Sequence, residues 1–135
     1  MERDDIFEKV TGYIVEVLSV DAEEATRDAR FFQDLKGESI DLLDLQFRIS
    51  RDPGVEVAFD SLTRSVKTDE RGLLLADSLI ALRAEYPFLP FERLPAEADI
   101  ESLKGLLTVN TICELVWQCL ERKEGANFVS VSAPT

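Results

Sequence analysis

Between Gly37 and Asp52 the chain carries an apolar pattern that suits a helix with two apolar faces. On a helical wheel Ile40, Leu43 and Phe47 fall on one side and Leu42, Leu45 and Ile49 on the other, with Asp41, Asp44 and Arg48 as a polar stripe between them. Such a helix is either wedged at the centre of a bundle or lays one face along a cavity or groove for an apolar ligand, and periodicity does not separate the two. Asp52-Pro53-Gly54 ends it, because proline and glycine together break a helix. At its start, Gly37-Glu38 interrupts the chain and Ser39 is read as the first helical residue, where its hydroxyl can cap the backbone. The first turn of a helix presents unpaired N–H groups and the positive end of the macrodipole, so an anion attached at Ser39 is stabilised there.

The remaining apolar spacing is helical as well. Ile6, Val10, Tyr13, Ile14, Val17 and Leu18 predict an amphipathic helix over 3–19. Residues 20–38 lose periodicity and read as a long loop pinned by Phe31, Phe32 and Leu35. After a short extended piece at 55–58, Leu75, Leu79, Leu82 and Tyr86 predict a helix over 69–86, stopped by Pro87. An aromatic loop at 87–91 leads to a short helix over 96–104 that Gly105 ends, and Val109, Ile112, Cys113, Val116, Trp117 and Leu120 mark a last helix capped by Thr108. The expected fold is all-α, a single domain over 1–124 with an enlarged middle at about 60–107 and a flexible tail over 125–135.

Composition narrows the function. With a formal charge of −12 over 135 residues and no histidine, the chain lacks the clustered Lys and Arg that hold a nucleic-acid backbone. No apolar run approaches the roughly 20 residues of a membrane span, and the acidic start Met1-Glu2-Arg3-Asp4-Asp5 is unlike a signal peptide, so a cytoplasmic location is expected. Cys113 and Cys119 stand on one predicted helix, about 9 Å apart in rise and on different faces, which rules out a bond between them. Two cysteines without histidine make a poor zinc site, and no metal is expected. No phosphate loop is present and no nucleophile has a plausible base, so no catalytic residue is assigned and the chain is not expected to be an enzyme.

The run Phe31-Phe32-Gln33-Asp34-Leu35-Lys36-Gly37-Glu38-Ser39-Ile40-Asp41-Leu42-Leu43-Asp44-Leu45 resembles the attachment site of acyl carrier proteins, in which an Asp-Leu-Gly leader precedes an Asp-Ser-Leu-Asp core and an amphipathic helix. The order of elements agrees too: a first helix ending in Leu18-Ser19-Val20-Asp21, the loop, the serine helix, Gly54-Val55-Glu56-Val57, and a last helix opening at Leu107-Thr108-Val109. The resemblance implies a four-helix bundle with additional helices inserted between the serine helix and the last helix. It implies that Ser39 accepts 4'-phosphopantetheine from coenzyme A through a magnesium-dependent phosphopantetheinyl transferase, and that the arm carries an acyl group as a thioester in fatty-acid, specialised lipid or polyketide-type biosynthesis. Glu38, Asp41 and Asp44 are then expected to dock on basic patches of acyl-transferring or condensing enzymes, and Ile40, Leu43 and Phe47 are candidates to line an acyl pocket. A monomer is expected.

The chain departs from the family's pattern in three places. Glu38 and Ile40 stand where aspartate and leucine are usual, Arg48 and Arg51 stand where the helix is usually acidic, and residues 60–107 exceed the family's short third-helix region. The leucine stripe of that segment and the 87–91 loop are candidates to enlarge or lid the acyl space, against the plainer reading of an added helix that only enlarges the core. Asp60-Ser61-Leu62 and Asp77-Ser78-Leu79 repeat the Asp-Ser-Leu triplet. Ser61 lacks the leader and reads as a cap or turn serine, while Ser78 falls inside the predicted 69–86 helix. The competing functional reading is an unmodified acidic module that binds a basic partner through the same bundle.

Overall fold

The computed structural model describes residues 2–59, 61–64 and 66–132, with the backbone alone for Ser61 and 124–132. Among the described residues the fold is all-α, with six helices: α1 (Arg3–Leu18), α2 (Ser39–Arg51), α3 (Ser61–Arg64), α4 (Ala76–Glu85), α5 (Ile100–Lys104) and α6 (Val109–Ser132), plus one 3-10 turn at Phe91–Arg93. Helix α1 packs on both α2 and α6, and α3 packs on α5. Ile6, Val10 and Ile14 of α1, Leu45 and Ile49 of α2, and Val109, Ile112 and Val116 of α6 form the fully buried seam. Burying each such aliphatic side chain contributes about 1.5–3 kcal/mol before entropy is counted. No helix among the described residues is long and apolar enough to cross a membrane.

Polar ties hold α2 in register at its far end. Asp52 closes the helix, its carboxylate accepts from Lys9 Nζ at 2.6 Å, and its carbonyl accepts from the Tyr13 hydroxyl at 3.1 Å. Gly54 sits at φ +87°, which disfavours any side chain, and its carbonyl accepts from Lys123 Nζ at 2.6 Å. Helix α6 is anchored at its start by Thr108, whose buried Oγ1 accepts from Thr111 N–H at 3.1 Å, as the cap expectation required. The 20–38 loop crosses that start: Phe31 N–H donates to Leu107 O at 3.0 Å, and Val109 N–H to Ala29 O at 2.9 Å.

Two helices are shorter than their periodicity predicts. The 69–86 helix begins only at Ala76, because Asp69 Oδ1 accepts from Arg71 N–H at 2.8 Å and Leu73 N–H at 3.0 Å, and Gly72 at φ +82° turns the chain left-handed. Leu73 and Leu74 then enter isolated antiparallel bridges with Asp99 and Thr68. The 96–104 helix begins at Ile100, where Asp99 caps it by accepting from Ser102 N–H at 2.8 Å, and Gly105 follows its last turn. In the other direction, α6 continues past Gly125 to Ser132, into the stretch expected as a tail. Gly125 costs a helix only about 1 kcal/mol and no proline follows until Pro134.

Candidate functional site

The segment that delivers the chain to Ser39 is built around one buried ring. Phe31 is fully buried and meets Phe32 edge-on, with centroids 5.2 Å apart. Gly37 lies against it: a Cβ added there would run into the Phe31 ring, and Gly37 N–H donates to Phe31 O at 2.9 Å. Glycine is needed here for close approach. The reversal itself falls on Lys36, at φ +61°. Asp34 binds Arg30 through both side chain and backbone, accepting from Arg30 N–H at 2.8 Å, Nε at 3.1 Å and Nη2 at 2.9 Å. The Arg30 hydrogen bonds hold the Asp34 carboxyl at about 2, below its ordinary 3.8.

Ser39 is the first residue of α2, as expected, but it is not the cap. Glu38 occupies that position in extended backbone and forms a capping box with Asp41, with Glu38 N–H donating to Asp41 Oδ2 at 2.9 Å. The physical reason is position: a side chain inside the first turn cannot fold back onto the N–H groups that the preceding residue reaches. The correction leaves the Ser39 hydroxyl without a hydrogen-bond partner among the described residues, on an exposed side chain at the positive end of a 13-residue helix.

Beside Ser39 opens a cavity of about 280 Å3, lined mainly by apolar groups. Helix α2 contributes Ser39, Leu42, Leu43 and Gln46; the loop contributes Phe32; Phe59, Leu62, Thr63, Leu103, Lys104 and Leu107 close it from the far side. Of the three residues offered as lining, Leu43, 62% exposed, reaches the rim of this cavity; Ile40 and Phe47, 69% and 61% exposed, are not among its described lining, and Phe47 borders a second cavity with Leu43, Gln46 and Val57. The opposite face, Leu42, Leu45 and Ile49, turns inward because α1 packs against it. Leu62, Leu103 and Leu107 carry no local signal of this role, since they converge on Ser39 from α3, α5 and the turn before α6 only after folding. The enlarged segment does wall the cavity, through α3 and α5; α4 and the 87–91 loop, offered as its lid, supply none of the lining.

The acids around the serine differ in freedom. Glu38 and Asp41 are tied into the capping box, and Asp44 Oδ1 accepts from Arg48 Nε at 3.3 Å while Arg48 Nη1 donates to Glu16 Oε2 at 2.6 Å. Arg48 therefore links α2 to α1 as well as lowering the negative charge of the face. Arg51 lies over the Phe47 ring, 5.6 Å from its centroid. The rival serines are otherwise placed. Ser78, expected inside a helix, stands in the first turn of α4 because that helix starts late, and its Oγ accepts from Lys67 N–H at 2.9 Å. Ser61 opens the four-residue α3, and its side chain lies outside the described residues. Both cysteines are free; burial pushes the Cys113 thiol up to about 11 and raises that of Cys119 as well.

A family model described as "Phosphopantetheine attachment site" matches residues 8–68. An acyl carrier protein of Petrotoga mobilis (strain DSM 10674 / SJ95) is 40% identical over 80 residues, a match covering 58% of this chain and 93% of that protein. Acyl carrier proteins of Helicobacter hepaticus (strain ATCC 51449 / 3B1) and Guillardia theta are 36% and 38% identical over 64 and 61 residues, covering 47% and 45% of this chain and 83% and 75% of theirs. No solved structure matches. The Petrotoga match takes in nearly all of that relative and little more than half of this chain, so much of this chain's length lies beyond that match.

Proposed function

The chain belongs to the acyl carrier protein family and carries 4'-phosphopantetheine covalently, and we propose that Ser39 is the residue that bears it. The observation that carries the proposal is an exposed, unbonded hydroxyl at the start of α2, opening onto an apolar cavity. The residues present fit the group. The positive end of α2 favours a phosphodiester at Ser39, and the cavity between α2, α3 and α5 offers an apolar chain a space shielded from water. When bound, the group supplies a thiol that holds an acyl chain as a thioester.

The chain's own residues do the rest. Leu42, Phe59, Leu62, Leu103 and Leu107 shelter the cargo by excluding water. Thioester exchange is thiolate chemistry, and burial, which pushes the Cys113 thiol up to about 11, disfavours its thiolate. Glu38, Asp41 and Asp44 dock basic patches of the phosphopantetheinyl transferase and of acyl-transferring or condensing enzymes. Such complementarity serves encounter rate and specificity more than affinity, as a shuttle requires. The setting proposed is cytoplasmic fatty-acid, lipid or polyketide-type synthesis, with the chain acting as carrier and substrate of other enzymes.

The test is intact-mass spectrometry after incubation with coenzyme A, magnesium and a broad-specificity phosphopantetheinyl transferase. The wild type is expected to gain the mass of one arm and the Ser39→Ala variant none. A wild type that gains nothing, or a gain that survives the substitution, contradicts the proposal.

A further inference from the structure

Of the eleven described side chains that line the cavity, Lys104 is the one with a charge. It comes from the last turn of α5, in the 60–107 segment and outside the residues that match the phosphopantetheine-attachment family. Its ammonium lies 5.5 Å from the centroid of the Phe32 ring, another lining residue, and 3.5 Å from Glu101 Oε1. That ion pair is long, and the Glu101 side is 73% exposed, so it holds the ammonium only weakly. Arg30, Arg48 and Arg93, by contrast, are engaged by Asp34, by Asp44 and Glu16, and by Asp28.

The charge beside Ser39 is otherwise negative on the helix side, from Glu38, Asp41 and Asp44, and a phosphodiester on Ser39 Oγ adds one more anion to it. Lys36 lies in the leader and does not line the cavity. A flexible lysine beside the same cavity, weakly paired and supported by an aromatic face, is suited to receive a phosphate oxygen as a compact point charge. We infer that Lys104 is a positioning residue that pairs with the phosphodiester on Ser39, so that α5 and α2 are bridged across the cavity once the protein is modified. The inference rests on the assignment of Ser39 as the attachment residue.

The experiment compares unmodified protein with the arm-bearing, free-thiol form of the wild type, Lys104→Met and Glu101→Gln. It reads the melting temperature of both forms and the 31P resonance of the phosphodiester. Methionine keeps most of the stem that packs at the cavity, and melting of the unmodified variant establishes that it folds. The change in melting temperature on modification is expected to be more favourable in the wild type than in Lys104→Met by about 1 to 4 °C, the range of an exposed ion pair. The excess is expected to collapse in 1 M salt. The 31P resonance is expected to move on substitution of Lys104, and Glu101→Gln, which removes the competing carboxylate, to enlarge the wild-type effect. An arm-bearing Lys104→Met protein with the same melting shift and the same 31P resonance as the wild type overturns the role of Lys104 while leaving Ser39 in place. Absence of the arm's mass at Ser39 overturns both. An effect that emerges only after an acyl group is loaded reassigns Lys104 to an oxygen of the cargo and overturns the phosphodiester pairing.

Discussion

The two apolar faces of α2 are close in composition and opposite in fate. Leu42, Leu45 and Ile49 pack into the molecule, with Leu45 and Ile49 fully buried, while Ile40, Leu43 and Phe47 stand outside. What separates them is the surroundings: α1 packs on α2, the Lys9 and Tyr13 contacts fix its far end, and the ring of Phe31 against Gly37 fixes its entry. The inner face contributes stability, Leu42 and Leu43 supply one leucine from each face to the cavity, and Ile40 and Phe47 of the outer face remain exposed. Ile40, Leu43 and Phe47, all more than 60% exposed, are large apolar side chains left facing outward on one helix.

The contrast is sharpest in substitution. Leu45→Ala is expected to lower unfolding free energy by about 3 kcal/mol, since it leaves a void at a fully buried position, whereas Phe47→Ala on the other face is expected to cost within about 0.5 kcal/mol. Urea denaturation of the two variants reads the difference directly. Similar losses for both would mean that the faces are not distinguished as described.

A smaller effect tests whether the leader seats the inner face. Gly37→Ala places a methyl group against the fully buried Phe31 ring and is expected to cost about 1–3 kcal/mol, because the ring must shift within the core to admit it. A neutral Gly37→Ala in the same denaturation assay would show that the helix is seated by its own inner face alone.

The smallest effect concerns the Arg30–Asp34 contact that shapes the leader. With its folded-state value at about 2 against the ordinary 3.8, Asp34 contributes stability above about pH 4 and loses that contribution as the pH falls toward 2. The pair is substantially exposed, so Asp34→Asn is expected to cost at most about 1 kcal/mol at neutral pH. The gap from the wild type should close between pH 4 and 2 in thermal melts. A gap that stays constant across that range would assign the cost to something other than the charge.

The parts of the molecule that were legible in the sequence are those where a local rule coincided with the tertiary one. The bounds of α1 and α2, the break at Pro53 and Gly54, and the Thr108 cap all follow from periodicity, proline, glycine and hydroxyl chemistry within a few residues. The 69–86 helix failed because the leucine spacing outweighed a turn signal already present: Asp69 with Gly72 three residues on. Ser39 stands out by its setting, whereas the cavity beside it draws one leucine from each apolar face of α2, Leu42 and Leu43, which the wheel alone does not indicate. Two apolar stripes on one helix are equivalent until the packing of α1 is known. Leu62, Leu103, Lys104 and Leu107 were out of reach for a different reason, since nothing local to any of them points to Ser39.

The most direct test of the account locates the prosthetic group on the chain. After modification with coenzyme A and the transferase, proteolysis and fragment-ion mass spectrometry assign the added arm to one residue among the serines. The entire gain is expected on Ser39, with Ser61 and Ser78 unmodified. An arm on Ser61 or Ser78, or divided between either and Ser39, would contradict it.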